Sequence, residues 1–323
     1  MIMSRMSTHA TVYAAPEGAV RLDDWGVIRA VGAEAAKFLH GQLTQDFEHL
    51  DGAHARLAGF CSVKGRLQAT FVAWRRGDDE LLLTCSADVL PATLKRLSMF
   101  VMRAKCKLSD ASADVPLWGL AGPAAAAALG DAALQAPWSH TTLGNADLVR
   151  LPDAHAAGAT VPRWLWAGAD VPALQPLDAA VWQGLEATSG VARVVAATAE
   201  QFVPQMVNFE LVDGVNFQKG CYPGQEIVAR SQYRGTLKRR AQVVTSAAPL
   251  RPGQEIFHSA DPGQPAGMVV LAGTLPGQGA VALVEVKLAA LTDPAAGSLH
   301  AGTADGPLLT LAALPYAIPT EAP

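Results

Sequence analysis

The sequence predicts an α+β protein that ends in a small all-β domain, and two patterns support this fold class. In the first part of the chain, strand-like runs alternate with segments whose apolar residues recur every three or four positions, as one face of a helix requires. After Arg240 the sequence changes to short apolar runs separated by Pro-Gly turns. We therefore expect a body of two α+β units over residues 19–240 and a separate β-domain over residues 241–323.

The first elements of the body are predicted in the order strand, helix, strands, helix. Trp25–Val31 is apolar and β-branched, which is typical of a strand, and it is the first element that we expect. The residues that predict the first helix, spaced by four, are Ala35, Leu39, Leu43 and Phe47. Strands at Gln68–Trp74 and Leu81–Cys85 come next. The residues that share the face of a second helix are Leu90, Leu94, Leu97 and Val101.

The middle of the body, from Ala111 to Asp178, is rich in Ala, Gly and Pro and has a weaker pattern. An alanine run favours a helix at Ala124–Ala128, and the sequence WLWA from Trp164 favours a short strand. Leu177–Thr188 predicts a further helix, because its apolar and small residues line one side and a glycine follows its end.

Composition and charge exclude several classes of protein. The 323 residues are 50% hydrophobic and 17% charged, so the chain can bury a large core. A net charge of -4 gives no general attraction to nucleic acid or anionic membranes, and direct nucleic-acid binding is not expected. The four cysteines form no CxxC pair, which favours a reducing compartment and predicts neither a zinc ribbon nor any other metal site. Without a signal-like start or a membrane-spanning run, we expect a cytoplasmic protein.

The segment with the most chemistry is Phe202–Arg240, where glycines, amides and cations surround Cys221. Within it, Lys219–Glu226 (KGCYPGQE) predicts a tight loop. Gly220 and Gly224 allow backbone conformations or close contacts that a side chain would obstruct. The loop is therefore the first candidate for a functional site.

Cys221 is the candidate reactive group of this loop. Lys219 and the start of a helix at Gln225 would both favour a thiolate, and free N–H groups at that helix start would favour an anion. The alternative is a small buried apolar residue, the common fate of a lone cysteine. We expect that structural role for the other three cysteines, Cys61, Cys85 and Cys106. No local pattern predicts a histidine partner for Cys221.

A cationic run follows the loop. Its members are Arg230, Arg234, Lys238, Arg239 and Arg240. Such a run is most often a solvated edge, but a guanidinium can also hold a carboxylate or phosphate through two parallel hydrogen bonds. Both interpretations stay open, and the second makes Arg230 and Arg234 candidate ligand-binding residues.

Three blocks of sequence carry a family resemblance. KGCYPGQEIVAR, with FVPQMVNFE before it and YRGTLKRR after it, resembles the signature of YgfZ-type folate-binding proteins. FLHGQLTQDFEHL and GFCSVKGRLQATF resemble the corresponding N-terminal blocks of the same family. These proteins are related to the aminomethyltransferase of the glycine-cleavage system.

The resemblance implies a fold, a cofactor and a set of site residues. The fold is the aminomethyltransferase-like arrangement of three domains around a central channel, with a C-terminal β-barrel, and the cofactor is tetrahydrofolate or a derivative. Cys221 becomes the functional thiol and Lys219 its partner. The other motif residues that it assigns to the folate site are Gly220, Tyr222, Gly224, Gln225, Glu226 and Arg230. Glu186, on the helix before Gly190, is a further candidate ligand, because the transferases hold the pterin with a glutamate there.

One departure from the transferases bears on activity. Their acidic residue after the stretch that matches Lys64-Gly65 handles a proton in one-carbon transfer, but this chain continues Arg66-Leu67-Gln68 without a carboxylate. General acid–base catalysis, typically worth ~10²–10⁴ in rate, therefore has no evident group in this block. A typical aminomethyltransferase activity is not expected.

Three functions remain open. The resemblance favours a tetrahydrofolate-binding accessory protein that uses Cys221 in the assembly or repair of iron–sulfur enzymes, including those of tRNA modification, with these enzymes or assembly proteins as partners. The second is a folate-dependent one-carbon transferase or demethylase. The third is a non-catalytic interaction module that uses the cationic run.

Overall fold

The structure is a computed structural model that describes residues 13–233, 237–292 and 297–319. Its strands are β1 (Gly18–Arg21), β2 (Trp25–Val31), β3 (Ala55–Cys61), β4 (Leu67–Arg75), β5 (Glu80–Ser86), β6 (Lys107–Asp110), β7 (Leu117–Ala121), β8 (His140–Leu143), β9 (Ala146–Ala156), β10 (Ala159–Ala167), β11 (Arg239–Ser246), β12 (Glu255–His258), β13 (Gly267–Leu275), β14 (Gly279–Lys287), β15 (Leu299–Ala301) and β16 (Leu308–Ala312). Its α-helices are α1 (Ala35–His40), α2 (Leu90–Val101), α3 (Gly122–Leu129), α4 (Ala179–Thr188) and α5 (Gln225–Tyr233). In these described ranges, no helix is both long and apolar enough to cross a bilayer.

The strands form two antiparallel sheets and a barrel. One sheet has the order β3-β4-β5-β2-β6 and the other β1-β7-β10-β9-β8, so the strand before β2 belongs to the second sheet. The last six strands close into a barrel in the order β11-β14-β13-β12-β15-β16. The α+β class and the C-terminal barrel are therefore confirmed. The prediction that Trp25–Val31 is the first element is wrong, because β1 precedes it and pairs with β7.

The first helix is also shorter than the sequence predicted. α1 ends at His40, although Leu43 and Phe47 are fully buried as the four-residue spacing implied. Leu43 instead forms a bridge with Phe60 of β3, and the Thr44 N–H donates to the Gly59 carbonyl at 2.9 Å. The segment after α1 is therefore buried beside β3 through one bridge and the turns around it.

One core joins the three units. Its buried members come from both sheets, from α4 and from the barrel, among them Val27, Trp74, Val149, Trp182 and Val243. α4 approaches the barrel closely, because a Cβ on Gly184 would lie 2.5 Å from the Thr274 carbonyl oxygen of β13. This contact fixes the position of the second half of α4, which carries Glu186.

Candidate functional site

The signature loop, defined as Lys219–Glu226, is held by backbone contact with the β3–β4 turn. Gly224 has φ +81°, and a Cβ there would lie 2.3 Å from the Ser62 carbonyl oxygen. On the other side Gly65 has φ +69°, and its Cβ would lie 2.8 Å from Cβ of Ile227. Two of the blocks that carry the resemblance therefore lock together, and only glycine fits at either position.

Lys219 anchors the loop from inside the protein. Its buried ammonium donates to the carbonyl oxygens of His40 at 2.5 Å and Leu43 at 3.0 Å, where α1 ends. It also lies 4.8 Å from the ring centre of Tyr222, a geometry typical of a cation–π contact. Burial lowers the pKa of Lys219 to about 8, although the negative charges of Asp46, Cys221 and Glu48 partly oppose this change. In this structure the amine fixes the loop through backbone carbonyls.

The Cys221 side chain is exposed on this anchored loop. Near the preceding residue, Nε2 of His40 lies 3.6 Å from where a Cβ on Gly220 would stand, and Nδ1 of the same ring bonds to Asp46 at 3.0 Å. Burial opposes ionisation of Asp46, but hydrogen bonds with His49 and His40 outweigh it and lower its pKa to about 2. The sequence did not predict this histidine, because His40 lies far from the loop in the chain.

The other cysteines occupy different environments. Cys61 and Cys85 are buried, and burial raises the pKa of each thiol to about 12, so both are unreactive in the folded protein. Cys106 is half-buried, and burial raises its pKa as well. Among the cysteines, Cys221 alone is exposed.

The remaining motif residues lie around the start of α5. Tyr222 is buried, and burial raises its pKa. The prediction of free N–H groups at this helix start is wrong for Gln225 and Ile227, because they donate to the carbonyls of Tyr222 at 3.2 Å and Gly224 at 3.1 Å. Glu226 points into solvent.

The cationic run is largely neutralised by neighbouring carboxylates. Arg230 forms an exposed pair with Glu226 at 2.9 Å, one turn of helix away. The other two pairs are Arg239 with Glu285 and Arg240 with Glu210. Arg234 lies outside the described residues. The three arginines are therefore held by the protein's own acids.

Glu186 lies elsewhere, in the interior between α4 and β2. Both of its carboxylate oxygens accept hydrogen bonds from the Arg193 guanidinium, each at 2.9 Å. Arg193 also donates to Asp24 at 2.9 Å and lies 4.8 Å from the ring centre of Trp25. Burial opposes the charge of Arg193, but Glu186 and Asp24 outweigh it and raise its pKa.

This pair lines a small pocket, which we call the inner cavity. Other residues of its wall include Trp25, Thr70, Phe71, Trp138 and Arg163. The indole N–H of Trp25 is buried and has no partner among the described residues. Aromatic walls around a carboxylate suit a flat heterocycle with N–H donors, but the volume is about 40 Å³, room for a few water molecules.

A larger open groove, which we call the outer groove, lies beside the inner cavity. It has a volume of about 600 Å³ between α2 and the segment Ala196–Glu200, and Gln68 of β4 forms part of its wall. Glu200, at φ +61°, is tied to β4 by its N–H, which donates to the Leu67 carbonyl at 2.7 Å. Its carboxylate accepts from the Gln68 amide at 2.5 Å.

The structure thus divides the predicted site residues into two places. The signature loop carries Cys221 at the surface, whereas Glu186 lines the inner cavity, of which Cys221 is not a wall residue. Within the described part of the chain, no cluster of three or more His, Cys, Asp or Glu side chains has the geometry for a metal ion. Sequence reasoning missed His40, Arg193 and Glu200.

The fold defines the class of protein. The structure superimposes on glycine cleavage system aminomethyltransferase T of Bartonella henselae with a TM-score of 0.71, covering 93% of this chain and 86% of that one at 18% identity. The chain therefore has the aminomethyltransferase fold, as the resemblance implied.

Sequence comparison gives the family. No family model matches the sequence. The chain is 31% identical over 242 residues to the tRNA-modifying protein YgfZ of Photobacterium profundum, covering 71% of this chain and 70% of that protein. It is 30% identical over 233 residues to the protein of the same name from Yersinia pestis, covering 68% of each. The chain belongs to the YgfZ family.

Proposed function

We propose that this protein binds tetrahydrofolate at the inner cavity and uses Cys221 in the assembly or repair of iron–sulfur enzymes, including enzymes that modify tRNA. The name of its relatives, tRNA-modifying protein YgfZ, supports the link to tRNA modification. The acidic net charge of -4 and the neutralised arginines favour an indirect role through partner enzymes over direct contact with tRNA.

The folate part of the proposal is supported by the chemistry of the inner cavity. A pterin presents two parallel N–H donors on one edge, which is the same donor pattern that Arg193 directs at Glu186. Because the cavity of about 40 Å³ is too small for a pterin, the ligand must displace the Arg193 guanidinium from Glu186. Asp24 and Ser86 remain as partners for the displaced arginine.

The observation that carries the thiol part is the exposure of Cys221 on a loop that Lys219 anchors from within. A buried amine and two close glycine contacts keep the loop in one conformation, so the sulfur is presented at a fixed place. An accessible thiol can exchange with other thiols or ligate a metal transiently. Tetrahydrofolate would supply one-carbon or redox chemistry at the separate inner cavity.

Complementation tests the role of the thiol. In cells that lack the protein, Cys221→Ala is expected to leave iron–sulfur enzyme activities low, whereas Cys106→Ala, which also removes a thiol, should restore them. Full restoration by Cys221→Ala, at equal protein levels, would refute the role of Cys221.

Glu200 favours a second candidate, a folate-dependent one-carbon transferase. The chain lacks the transferases' acid after Lys64-Gly65, but Glu200 brings a carboxylate to Gln68 from a distant segment. A carboxylate there could accept a proton during transfer of a methylene group from an amine. Folate-dependent turnover of candidate methylamines that Glu200→Gln abolishes would support this function, and absence of turnover in the unaltered protein would exclude these substrates.

A further inference from the structure

The outer groove has two unpaired cations on one wall. Ala92, Lys95, Arg96 and Met99 are spaced by three and four residues, so they share one face of α2, and all four line the groove. Lys95 and Arg96 are exposed, and no carboxylate in the described ranges forms a salt bridge with either. This contrasts with Arg230, Arg239 and Arg240, each of which has an acidic partner.

The two carboxylates that line the outer groove, Asp88 and Glu200, accept hydrogen bonds from uncharged donors. Asp88 accepts from the Ala196 N–H at 2.9 Å, and Glu200 accepts from the Gln68 amide. Neither is satisfied by a cation of the groove. Lys95 and Arg96 therefore remain available to a ligand that brings its own negative charges.

The outer groove and the inner cavity lie along one segment of the chain after α4. Arg193 lines the inner cavity, whereas Ala196 and Glu200, three and seven residues later, line the outer groove. The segment between them is held against β4, because the Val194 N–H donates to the Thr70 hydroxyl at 3.0 Å. A ligand with its ring in the inner cavity and an elongated tail would leave along this segment.

We propose that the outer groove binds the γ-linked oligoglutamate tail of a folate, with Lys95 and Arg96 as its carboxylate partners. This inference rests on the proposed binding of tetrahydrofolate. Each added glutamate brings one carboxylate on a flexible apolar stem, so the tail is a polyanion that matches the cations on α2. In the cationic run after the signature loop, Arg230, Arg239 and Arg240 are already paired with carboxylates of the protein.

Titration calorimetry with two folates tests the proposal. Tetrahydrofolate with five glutamates should bind the full-length protein on the order of tenfold more tightly than the monoglutamate at low salt, since two exposed pairs are gained. Lys95→Ala with Arg96→Ala should abolish this gain and change monoglutamate binding by less than about twofold. The matched control, Lys37→Ala with Arg251→Ala, removes the same charge outside the groove and should retain the gain.

The outcomes separate this inference from the function on which it rests. If the unaltered protein binds neither folate, the proposed folate site fails, and the proposal for the groove fails with it. If the monoglutamate binds but five glutamates add nothing, or if the gain persists without Lys95 and Arg96, the groove is not the tail site while the folate site stands. Loss of the gain in the control variant as well would show a general effect of net charge and overturn the proposal.

Discussion

The signature loop and the inner cavity each bury a cation, but the two cations have different partners. The loop buries a cation, Lys219, against backbone carbonyls so that the neighbouring Cys221 stays exposed. The cavity buries a cation, Arg193, against Glu186 so that the carboxylate is covered. Under the proposed function, the loop would present its thiol without rearrangement, whereas the inner cavity would have to open to bind folate.

The two sites should depend on different interactions for their stability. The direct partners of the Lys219 ammonium are backbone carbonyls and not a carboxylate, so the loop depends on close backbone packing at Gly224 and Gly65. The buried Glu186–Arg193 pair instead depends on both of its members, because loss of either leaves an unpaired charge in the interior. We therefore expect substitutions in the loop to lower stability through steric overlap, and substitutions at the inner cavity to lower it by leaving a buried charge unpaired.

Thiol reactivity should show the largest contrast. In the folded protein, iodoacetamide should modify Cys221 at least about 100-fold faster than Cys61 or Cys85, because the buried thiols react only when the structure opens. Mass spectrometry of timed samples at neutral pH measures each rate. In denaturant the rates should converge. Similar rates in the folded state would contradict the assigned exposure of Cys221.

Loss of the buried carboxylate of Glu186 should lower the free energy of unfolding more than loss of the exposed carboxylate of Glu226. Glu186→Gln should lower the free energy of unfolding by about 3 kcal/mol, because it leaves the Arg193 charge incompletely paired in the interior. Glu226→Gln removes the same charge from an exposed pair and should cost less than about 0.5 kcal/mol. Urea unfolding of both variants provides the comparison. Equal losses would mean that the interior pair contributes no more than a surface pair.

In the signature loop, steric overlap should have the largest effect on stability. Gly224→Ala should cost about 2 kcal/mol or more, since its Cβ would meet the Ser62 carbonyl and its φ of +81° is strained for alanine. Gly220→Ala, whose nearest new contact is His40 at 3.6 Å, should change stability by no more than about 0.5 kcal/mol. Thermal unfolding measures both. A tolerant Gly224 would show that the loop is not locked against the β3–β4 turn.

The buried amine should make stability depend on pH, and the sign of this dependence follows from its pKa. Burial lowers the pKa of Lys219 to about 8 in the folded protein, compared with an ordinary value of 10.5. Between these values the unfolded chain binds more protons, so the contribution of Lys219 to stability rises with pH in this window and is level below it. The free energy of unfolding of the unaltered protein, minus that of Lys219→Met, should rise from pH 8 to 10.5. A fall would mean that the interior favours the charged amine.

Regular elements could be predicted where the apolar pattern was long. Trp25–Val31 and the helix from Leu90 to Val101 have the predicted bounds. The short strands Glu255–His258 and Leu299–Ala301 were not predicted, because three or four residues carry too little pattern. The end of α1 was mispredicted because Leu43 and Phe47, in a non-helical segment, are buried at the spacing that a helix would give.

The candidate site was predictable only where it is local. The signature loop is one continuous segment, and its glycines and Cys221 stood out in the sequence. The contact of Gln68 with Glu200 joins residues 132 positions apart, and that of Lys219 with His40 joins residues 179 apart, which a single sequence does not reveal. Arg193 lies seven residues after Glu186, but no periodic pattern linked the two.

Calorimetric titration of tetrahydrofolate into the unaltered protein and Glu186→Gln tests the claim that a covered carboxylate is the folate ligand. We expect measurable binding that weakens at least about tenfold in the variant, since a bidentate contact loses one charge-assisted partner. Equal affinity of a folded Glu186→Gln protein, or no heat of binding with the unaltered protein, would contradict it.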